Sequence, residues 1–520
     1  MLITFQMILH FWFYHPALLY GLSLMLGVFV HLSPTLSLII PALFLWIPLL
    51  FNFFQSRDRR SLQHLILALL AFLAGWIYTL SSYSFPHLPS EGIKGMAHVS
   101  IKTIHLQSTP FGKHWLYRCE IAQFFPAQSS ESIVKSIPCT ITFAAKRGIT
   151  TPPIKSQDYW VSGTIKEQES GRYVLKVGSK EKWIPIAGTS NGAERRFLWK
   201  QTVSSWIESQ FSHPASASFL AGVITGQFDD SWMREQFSRF GLQHLLAISG
   251  FHFAIIALFL NIGCRLFFSM KGSAIALLIG LSCYTLFLGP QASILRAWIM
   301  CSLTLLGGLL EKQTTALNSV GVALLIILGY DPLLSQEIGF QLSFAITAGI
   351  LLFYSPAKSF CDFLIAKKTL SEVIKMNSCN QHAYCILSFF KQGLALTLAV
   401  NVLAFPLTLY YFHQFPWMSL VYNLFFPLLA SFSIILLLLG GALSFIPYVG
   451  AAISLINNRY TLFLLELTHQ IPMEVDIYLK VISFPSSWLI LYICCTFLAG
   501  IVWKETCESQ ECSGVSFHLI

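Results

Sequence analysis

Long uncharged apolar runs recur from one end of this chain to the other, and nothing else in the sequence restricts its fold as strongly. The runs 36–54, 65–80, 274–288 and 418–445 approach or exceed the roughly 20 residues that an α-helix needs to cross a bilayer's hydrocarbon. Hydrophobic types make up 55% of the 520 residues and charged types 11%, against about a quarter charged in an average soluble domain. A soluble fold this poor in charge could not cover its own surface. The first run, 18–31, has no small-residue cleavage site after it, so it reads as a span and not as a cleaved signal peptide. The expected fold is a polytopic α-helical membrane protein of about twelve spans. These fall near 9–30, 35–54, 62–83, 242–268, 272–289, 292–310, 314–330, 338–354, 386–411, 417–445, 449–470 and 484–503.

Two basic loops agree on one orientation. Arg57, Arg59 and Arg60 lie between the second and third spans, and Lys367, Lys368 and Lys375 fall in the stretch 358–391. Short loops rich in Lys and Arg stay in the cytoplasm. The N-terminus and the tail are then inside, and the long polar segment 84–200 is outside. The expected organisation is three N-terminal spans (1–83), an extracytoplasmic β domain (84–196), an amphipathic interfacial helix (197–213), a large transmembrane domain (214–505) and a cytoplasmic tail (506–520). The interfacial helix is expected because Phe197, Trp199, Trp206 and Phe211 alternate with Lys200, Gln201 and Glu208, and tryptophan favours the membrane surface.

The segment 84–200 reads as strands. The stretches 99–104, 139–143, 159–165 and 173–177 alternate or are strand-like, with turn residues such as Gly148, Pro152, Pro153 and Gly171 between them. Five or six strands in this length fit a small OB-like barrel, and a small sandwich fits nearly as well. The segment holds 16 Lys and Arg against 8 Asp and Glu, a net +8 of the chain's +9. That excess suits a polyanion such as DNA, or simply solubility and anionic lipid. Lys146, Arg147, Arg172 and Lys176 are candidate phosphate contacts. Trp160 and Tyr173 are either stacking platforms or core. Cys119 and Cys139 are the two cysteines of the segment, and an extracytoplasmic location makes them candidates for one disulfide.

Polar groups inside a membrane are costly and invite a functional reading. His244, Ser249, Gly250 and His252 form one cluster. Ser249 and His252 share a helical face, and His244 joins them only if the helix breaks at Ser249–Gly250. Arg296, after Pro290, Gln291 and Ser293, either snorkels or faces a pathway. Asp331–Pro332 reads as a helix-start signal, and Glu337 and Gln341 form an i,i+4 pair; Glu337 is expected to pair with Arg296 and hold the helices. Asn401 and Asn423 each precede a proline, Pro406 and Pro427, in an apolar run. These mark helix kinks or a pair of broken helices lining a pathway. Cys379, His382 and Cys385, with Cys361 upstream, have metal-like spacing but an irregular ligand set, and no metal is expected. There is no G-x-x-x-x-G-K-[ST] and no H-E-x-x-H, so neither a P-loop nor a zinc hydrolase site is expected, nor any enzyme activity or cofactor.

Three of these motifs in order, from His244 through Ser249 to His252, from Ser293 to Arg296, and from Asp331 through Glu337 and Gln341 to Phe344, resemble the ComEC competence-protein family. The resemblance covers about 215–505, and the preceding spans and β domain resemble the family's OB-like N-terminal part. It implies a bacterial inner-membrane channel that takes up single-stranded DNA in natural transformation. It also implies partners: an outer DNA receptor, a cytoplasmic motor or helicase, a separate nuclease, the bilayer, and a second copy in a homo-oligomer. Phe251 departs from the family's usual Leu. Many members carry a C-terminal metallo-β-lactamase-like domain. That domain is not expected in a chain ending at Ile520, so a nuclease role is not carried over. Two other classes compete. One is a transporter of a smaller anionic or lipid-linked solute. The other is an intramembrane serine protease, for which Ser249–Gly250 gives only a loose match.

Overall fold

The computed structural model describes residues 2–83, 88–89, 91–109, 112–127, 136–144, 155–168, 173–178, 181–228, 230–246, 250–366, 368–470 and 477–513. The chain opens with α1 (Leu2–Tyr14), α2 (Pro16–Leu32), α3 (Ile39–Ser56) and α4 (Arg59–Ser82). A barrel follows: β1 (Ile93–Thr109), β2 (Gly112–Pro126), β3 (Ile137–Ala144), β4 (Tyr159–Glu167), β5 (Tyr173–Lys176) and β6 (Ile184–Pro185). Next come α5 (Gly192–Gln210), α6 (Pro214–Thr225), α7 (Ser231–Arg239), α8 (Gln243–Leu246), α9 (Gly250–Phe267), α10 (Met270–Leu288), α11 (Ala292–Leu309) and α12 (Ala316–Tyr330). After a 3-10 turn (Pro332–Gln336) lie α13 (Ile338–Leu364), α14 (Leu370–Ile374), α15 (Ser378–Phe412) and β7 (Gln414–Pro416). Then α16 (Met418–Ala442), α17 (Pro447–His469), β8 (Tyr478–Lys480) and α18 (Ser486–Ser513) complete the chain.

Among the described residues, nine helices are long and apolar enough to cross a membrane, or ten if the α1–α2 pair, bent by 96°, is one span. This is in keeping with the expectation of a polytopic helical protein of about twelve spans: the span expected at 242–268 is α9, and two other expected stretches are not among the nine. The one expected at 314–330 is α12, only 15 residues long. The one expected at 449–470 is α17, which carries Asn457, Asn458 and Arg459 at its middle and is not among the nine. A helix that short, or that polar, is stable inside the body because neighbours cover it. Eight residues of α12 are buried, and its Gly321 meets Ala17 and Leu18 backbone to backbone: a Cβ there would lie 2.2 Å from the Ala17 carbonyl carbon. Close approach through small residues is the usual device where no hydrophobic effect draws helices together. In α17, Asn457 accepts from Ser433 Oγ at 2.9 Å and donates to the Ser433 carbonyl at 3.1 Å, a polar clamp onto α16.

Pro406 and Pro427 lie inside continuous helices, so the twin Asn–Pro segments are not broken helices. A mid-helix proline frees the carbonyl four residues back. For Pro406 that is the Val402 carbonyl, and Tyr492 of α18 donates its hydroxyl to it at 3.0 Å. Asn401, the residue expected to serve, instead donates to the Thr397 carbonyl at 2.8 Å.

The barrel closes in the order β1-β2-β3-β5-β4, with β4 back on β1; β3–β5 is parallel and the other pairs antiparallel. It is an OB-like barrel. Burial along β4 alternates strictly from Tyr159 to Ile165, as a strand with one buried face must. Val99, Ile101, Tyr117, Ile121, Val161 and Leu175 fill it, and Phe197 of α5 joins from the end. The helix after the barrel therefore starts at Gly192, capped by Asn191, five residues before the expected start. Its first turn belongs to the barrel core, not to the membrane surface. Tyr173 is 4% exposed in this core, which corrects its reading as a stacking platform. Trp160 is half-buried on the outer face, 5.7 Å from Phe125 and 5.3 Å from His98. Lys176 is exposed; Lys146, Arg147 and Arg172 lie outside the described residues. Cys119 and Cys139 are free, buried thiols placed directly opposite each other on β2 and β3.

Replacing Tyr492 with Phe removes the donor that meets the Val402 carbonyl. An acceptor left bare away from water costs about 1–3 kcal/mol. Denaturation of the detergent-solubilised protein should show a loss of that size for Tyr492→Phe, and a smaller one for Asn401→Ala.

Candidate functional site between the barrel and the helical body

The three motifs do not converge on one point. They form two adjoining assemblies, one inside the helix bundle and one where the barrel meets it. Inside the bundle, the chain turns sharply before the first motif. Gly241 has φ +65°. Leu242 N donates to the Phe237 carbonyl at 2.8 Å and Gly241 N to the Ser238 carbonyl at 3.0 Å, the paired bonds of a Schellman turn. A side chain at Gly241 would strike Ser419 of α16, 2.5 Å away. His244 then sits exposed on α8, its Nδ1 3.2 Å from the Gly241 carbonyl. Ser249 lies outside the described residues. Helix α9 begins at Gly250, and His252 on its first turn is buried.

Arg296 of α11 reaches to that helix start. A Cβ built on Gly250 would lie 2.9 Å from an Arg296 guanidinium nitrogen, so only glycine lets the guanidinium approach the backbone there. Arg296 Nε is shut off from solvent and has no hydrogen-bond partner among the described residues. This does not fit an arginine that snorkels to water. Asn423 Oδ1 on α16 is likewise buried without a partner among the described residues.

The third motif supports the barrel. Asp331 caps the 3-10 turn through Leu333 N at 3.0 Å, and also accepts from the Tyr83 hydroxyl at 3.2 Å. Glu337 pairs with Arg118 of β2 at 2.8 Å, and not with Arg296, the partner expected for it. Gln341 faces elsewhere than Glu337: its Nε2 donates to the Ser335 carbonyl at 3.0 Å, and its Oε1 accepts from Tyr411 of α15. Around this contact runs a seam of charges. A β-bulge leaves Lys102 unpaired in the β1–β2 ladder, and bulges re-aim side chains. Its Nζ meets Glu120 at 2.7 Å. Arg196 donates to the Lys102 carbonyl at 3.2 Å and lies against Gly289. Buried Lys200 donates to the Leu288 carbonyl, in the last turn of α10, at 2.8 Å. Arg118, Lys102, Arg196 and Lys200 were missed because sequence reasoning gave them only a net charge. The alternation of β2 was the signal that could have placed Arg118.

Burial raises the carboxyl pKa of Glu337, opposed by Arg118, and burial likewise raises that of Asp331. His105 is pushed down to about 4 by burial and by Arg118 and Lys200. Lys200 is lowered to about 8 by burial and then by Arg196. Cys379, His382 and Cys385 are exposed on α15 and Cys361 is buried on α13. Among the described residues, no three His, Cys, Asp or Glu side chains are grouped to hold a metal.

These features define a polytopic helical membrane protein with an OB-like barrel inserted ahead of its main helical body. Residues 226–506, more than half of the chain, match the family described as Competence protein, and the chain belongs to that family, the ComEC competence proteins. It is similar to ComE operon protein 3 of Bacillus subtilis (strain 168), at 26% identity over 214 residues, which cover 41% of this chain and 24% of that protein. No solved structure matches the chain. The chain spans about a quarter of the length of the Bacillus subtilis relative.

The lowered pKa of Lys200 fixes a sign. Between about 8 and its ordinary 10.5, the unfolded chain holds a proton there that the folded protein has released. Stability due to this group therefore rises with pH across that window, by at most about 3 kcal/mol. Melting temperatures of the wild type minus those of Lys200→Met should climb between about pH 8 and pH 10.5; a flat difference would contradict the assignment.

Proposed function

We propose that this chain forms the inner-membrane conduit through which single-stranded DNA enters a naturally competent bacterium. The observation that carries the reading is Arg296. A guanidinium inside the bundle, with Nε unpartnered among the described residues and pressed against the glycine that starts α9, is a cation in need of an anion. The first N–H groups of a helix add donors beside it. A phosphate of a passing strand supplies what both lack, and in a low-dielectric setting such contacts are strong. His244, Ser249, Gly250 and His252 belong to the same pathway in this reading. Asn401 and Asn423 brace its helices.

Asp331, Glu337 and Gln341 have a different part. Asp331 and Glu337 hold the barrel over the helical body, Gln341 braces the start of α13 against α15, and Arg118 neutralises Glu337 so that it does not repel DNA. With the two basic loops in the cytoplasm, the barrel stands outside as the receiver, using Lys176 and the outer aromatic patch of Trp160. A polar pathway plus a basic receiver is what transport of a polyanion requires. A motor and a nuclease acting on the other strand would be separate partners.

Arg296→Ala tests the pathway. Protein level and membrane insertion, measured alongside, should hold. DNA import should fall at least a hundredfold, the loss expected where one charge-assisted contact is worth about 3 kcal/mol. Import at the wild-type rate would remove Arg296 from the pathway, and uptake of a smaller anion with no DNA import would favour the solute transporter.

With the barrel outside, this reading predicts that Cys119 and Cys139, free thiols in this structure, oxidise to a disulfide. Opposed residues in an antiparallel pair have Cβ atoms about 4.5–5.5 Å apart, within about 1 Å of the disulfide range. Thiol counting on protein from the native host, before and after reduction, should reveal two additional thiols; two free thiols without reductant would refute the bond.

A further inference from the structure

Helix α17 runs antiparallel beside α16, so the two share one depth in the membrane. Near their joining turn, a Cβ on Gly440 would lie 3.3 Å from Ile453 Cγ2. Farther along, Ser433 donates to Asn457 at 2.9 Å, and Tyr460 donates to the Leu429 carbonyl at 2.9 Å. Beyond that, the β7–β8 ribbon ties the segment before α16 to the one after α17. Arg459 therefore stands level with residues 429–433, the middle of α16 (Met418–Ala442), which is long and apolar enough to cross a membrane. We infer that the outward face of α17 docks a membrane-spanning helix of another protein, one that carries a carboxylate at the depth of Arg459. This does not depend on the conduit reading.

The sequence of α17 gives it two faces. Asn457, Thr461, Leu464 and Thr468, three or four residues apart, are buried against the body. Ser433, Asn457 and Thr461 bond one another there. The opposite face carries Leu455, Ile456, Arg459, Phe463 and Glu466 at the same spacing, all exposed. Its three apolar side chains are each more than half exposed, at 59%, 58% and 54%. Such a face suits lipid or another helix, not a water-filled passage. Arg459 at its centre does not suit lipid. It has no hydrogen-bond or ion-pair partner among the described residues, and a cation deep in hydrocarbon is costly. Either end of α17 (Pro447–His469) is about 15–18 Å from it along the axis, beyond the reach of an arginine side chain.

A second copy of this chain does not supply the missing acid. On the nine helices long and apolar enough to cross a membrane, carboxylates stand only near the ends, at Asp362 and Glu505. Lys391 and His10 hold those two at 2.6 Å each. Two copies facing the same way are related by an axis along the membrane normal, so a shared α17 face would set Arg459 against Arg459. The occupant is therefore a different span. Glu466 gives the face a direction. It lies two turns beyond Arg459, exposed and without a hydrogen-bond or ion-pair partner among the described residues, so the fitting helix carries a base about two turns from its acid. Ala451 and Ala452, exposed a turn before Leu455, let that helix come close. Pairing is how ionisable groups are tolerated inside a membrane, and here the apolar neighbours would close water out around it.

Energy transfer between the labelled full chain and labelled polyleucine span peptides, reconstituted together in zwitterionic vesicles, tests the face. A peptide with one central Glu should associate with the wild type, and an all-leucine peptide should not. Arg459→Glu should weaken the Glu peptide at least about tenfold and gain affinity for a peptide with a central Lys, a gain that a misfolded variant cannot give. Adding a Lys two turns from the central Glu should tighten binding several-fold, and Glu466→Gln should remove that gain alone. If the wild type does not prefer the Glu peptide to the all-leucine one, or Arg459→Glu leaves the preference unchanged, the inference falls while the conduit reading stands. If copies of the full chain associate with one another and Arg459→Glu abolishes it, the face joins like subunits and the inference is overturned. It is overturned too if Arg459→Gln costs only the retention of an anionic phospholipid, or only the binding of an oligothymidylate.

Discussion

A backbone amide or carbonyl left bare in hydrocarbon costs several kcal/mol, and the layout of this protein follows from where its helices stop or bend. Each interruption is met by a group from another element. The carbonyl freed by Pro406 is taken by Tyr492, and the end of α10 by Lys200 from the helix that follows the barrel. The turn after α7 is closed by its own Schellman bonds and covered by Ser419 and Pro416. At the start of α9, the neighbouring group is Arg296, whose Nε has no partner among the described residues. In the proposed reading, that contrast separates a structural interruption from one that serves the pathway.

The same constraint explains how the barrel is attached. Its outer face meets the helical body through charges and backbone carbonyls, not through a shared apolar core. Arg118–Glu337, Tyr83–Asp331 and Arg196 on the Lys102 carbonyl lie along one seam. Phe197 is the exception, because α5 begins inside the barrel core and continues along the body. One helix therefore carries a barrel residue at one end, a residue of the second helical core, Ile207, towards the other, and between them the buried lysine that caps α10. The barrel cannot shift without moving that lysine.

The family match begins at residue 226, just before α7, and so takes in α7, the turn at Gly241, the α9 start, Arg296 and the Asp331–Gln341 segment. The partners that complete the seam, Tyr83, Lys102, Arg118, Arg196 and Lys200, lie before it. The matched region thus contains the pathway candidates, while the groups that hold the receiver in place come from the segment ahead of it.

The sequence by itself determined the membrane class, the inserted barrel, most of the helix limits and the identity of the polar clusters. Hydrophobic run length, strand alternation and the cost of buried charge are local properties, readable residue by residue. It misread what depends on a neighbour far along the chain. Tyr173 belongs to the core because β3 and β5 run parallel beside it, and nothing near Tyr173 announces that pairing. Glu337 was matched with the wrong arginine because residues 118 and 337 are brought together only by docking. At α12 and α17, tertiary burial and an Asn–Ser clamp make up for the length and apolarity that a lone span needs. Partner choice across long separations is settled by packing, and packing is a property of the folded chain.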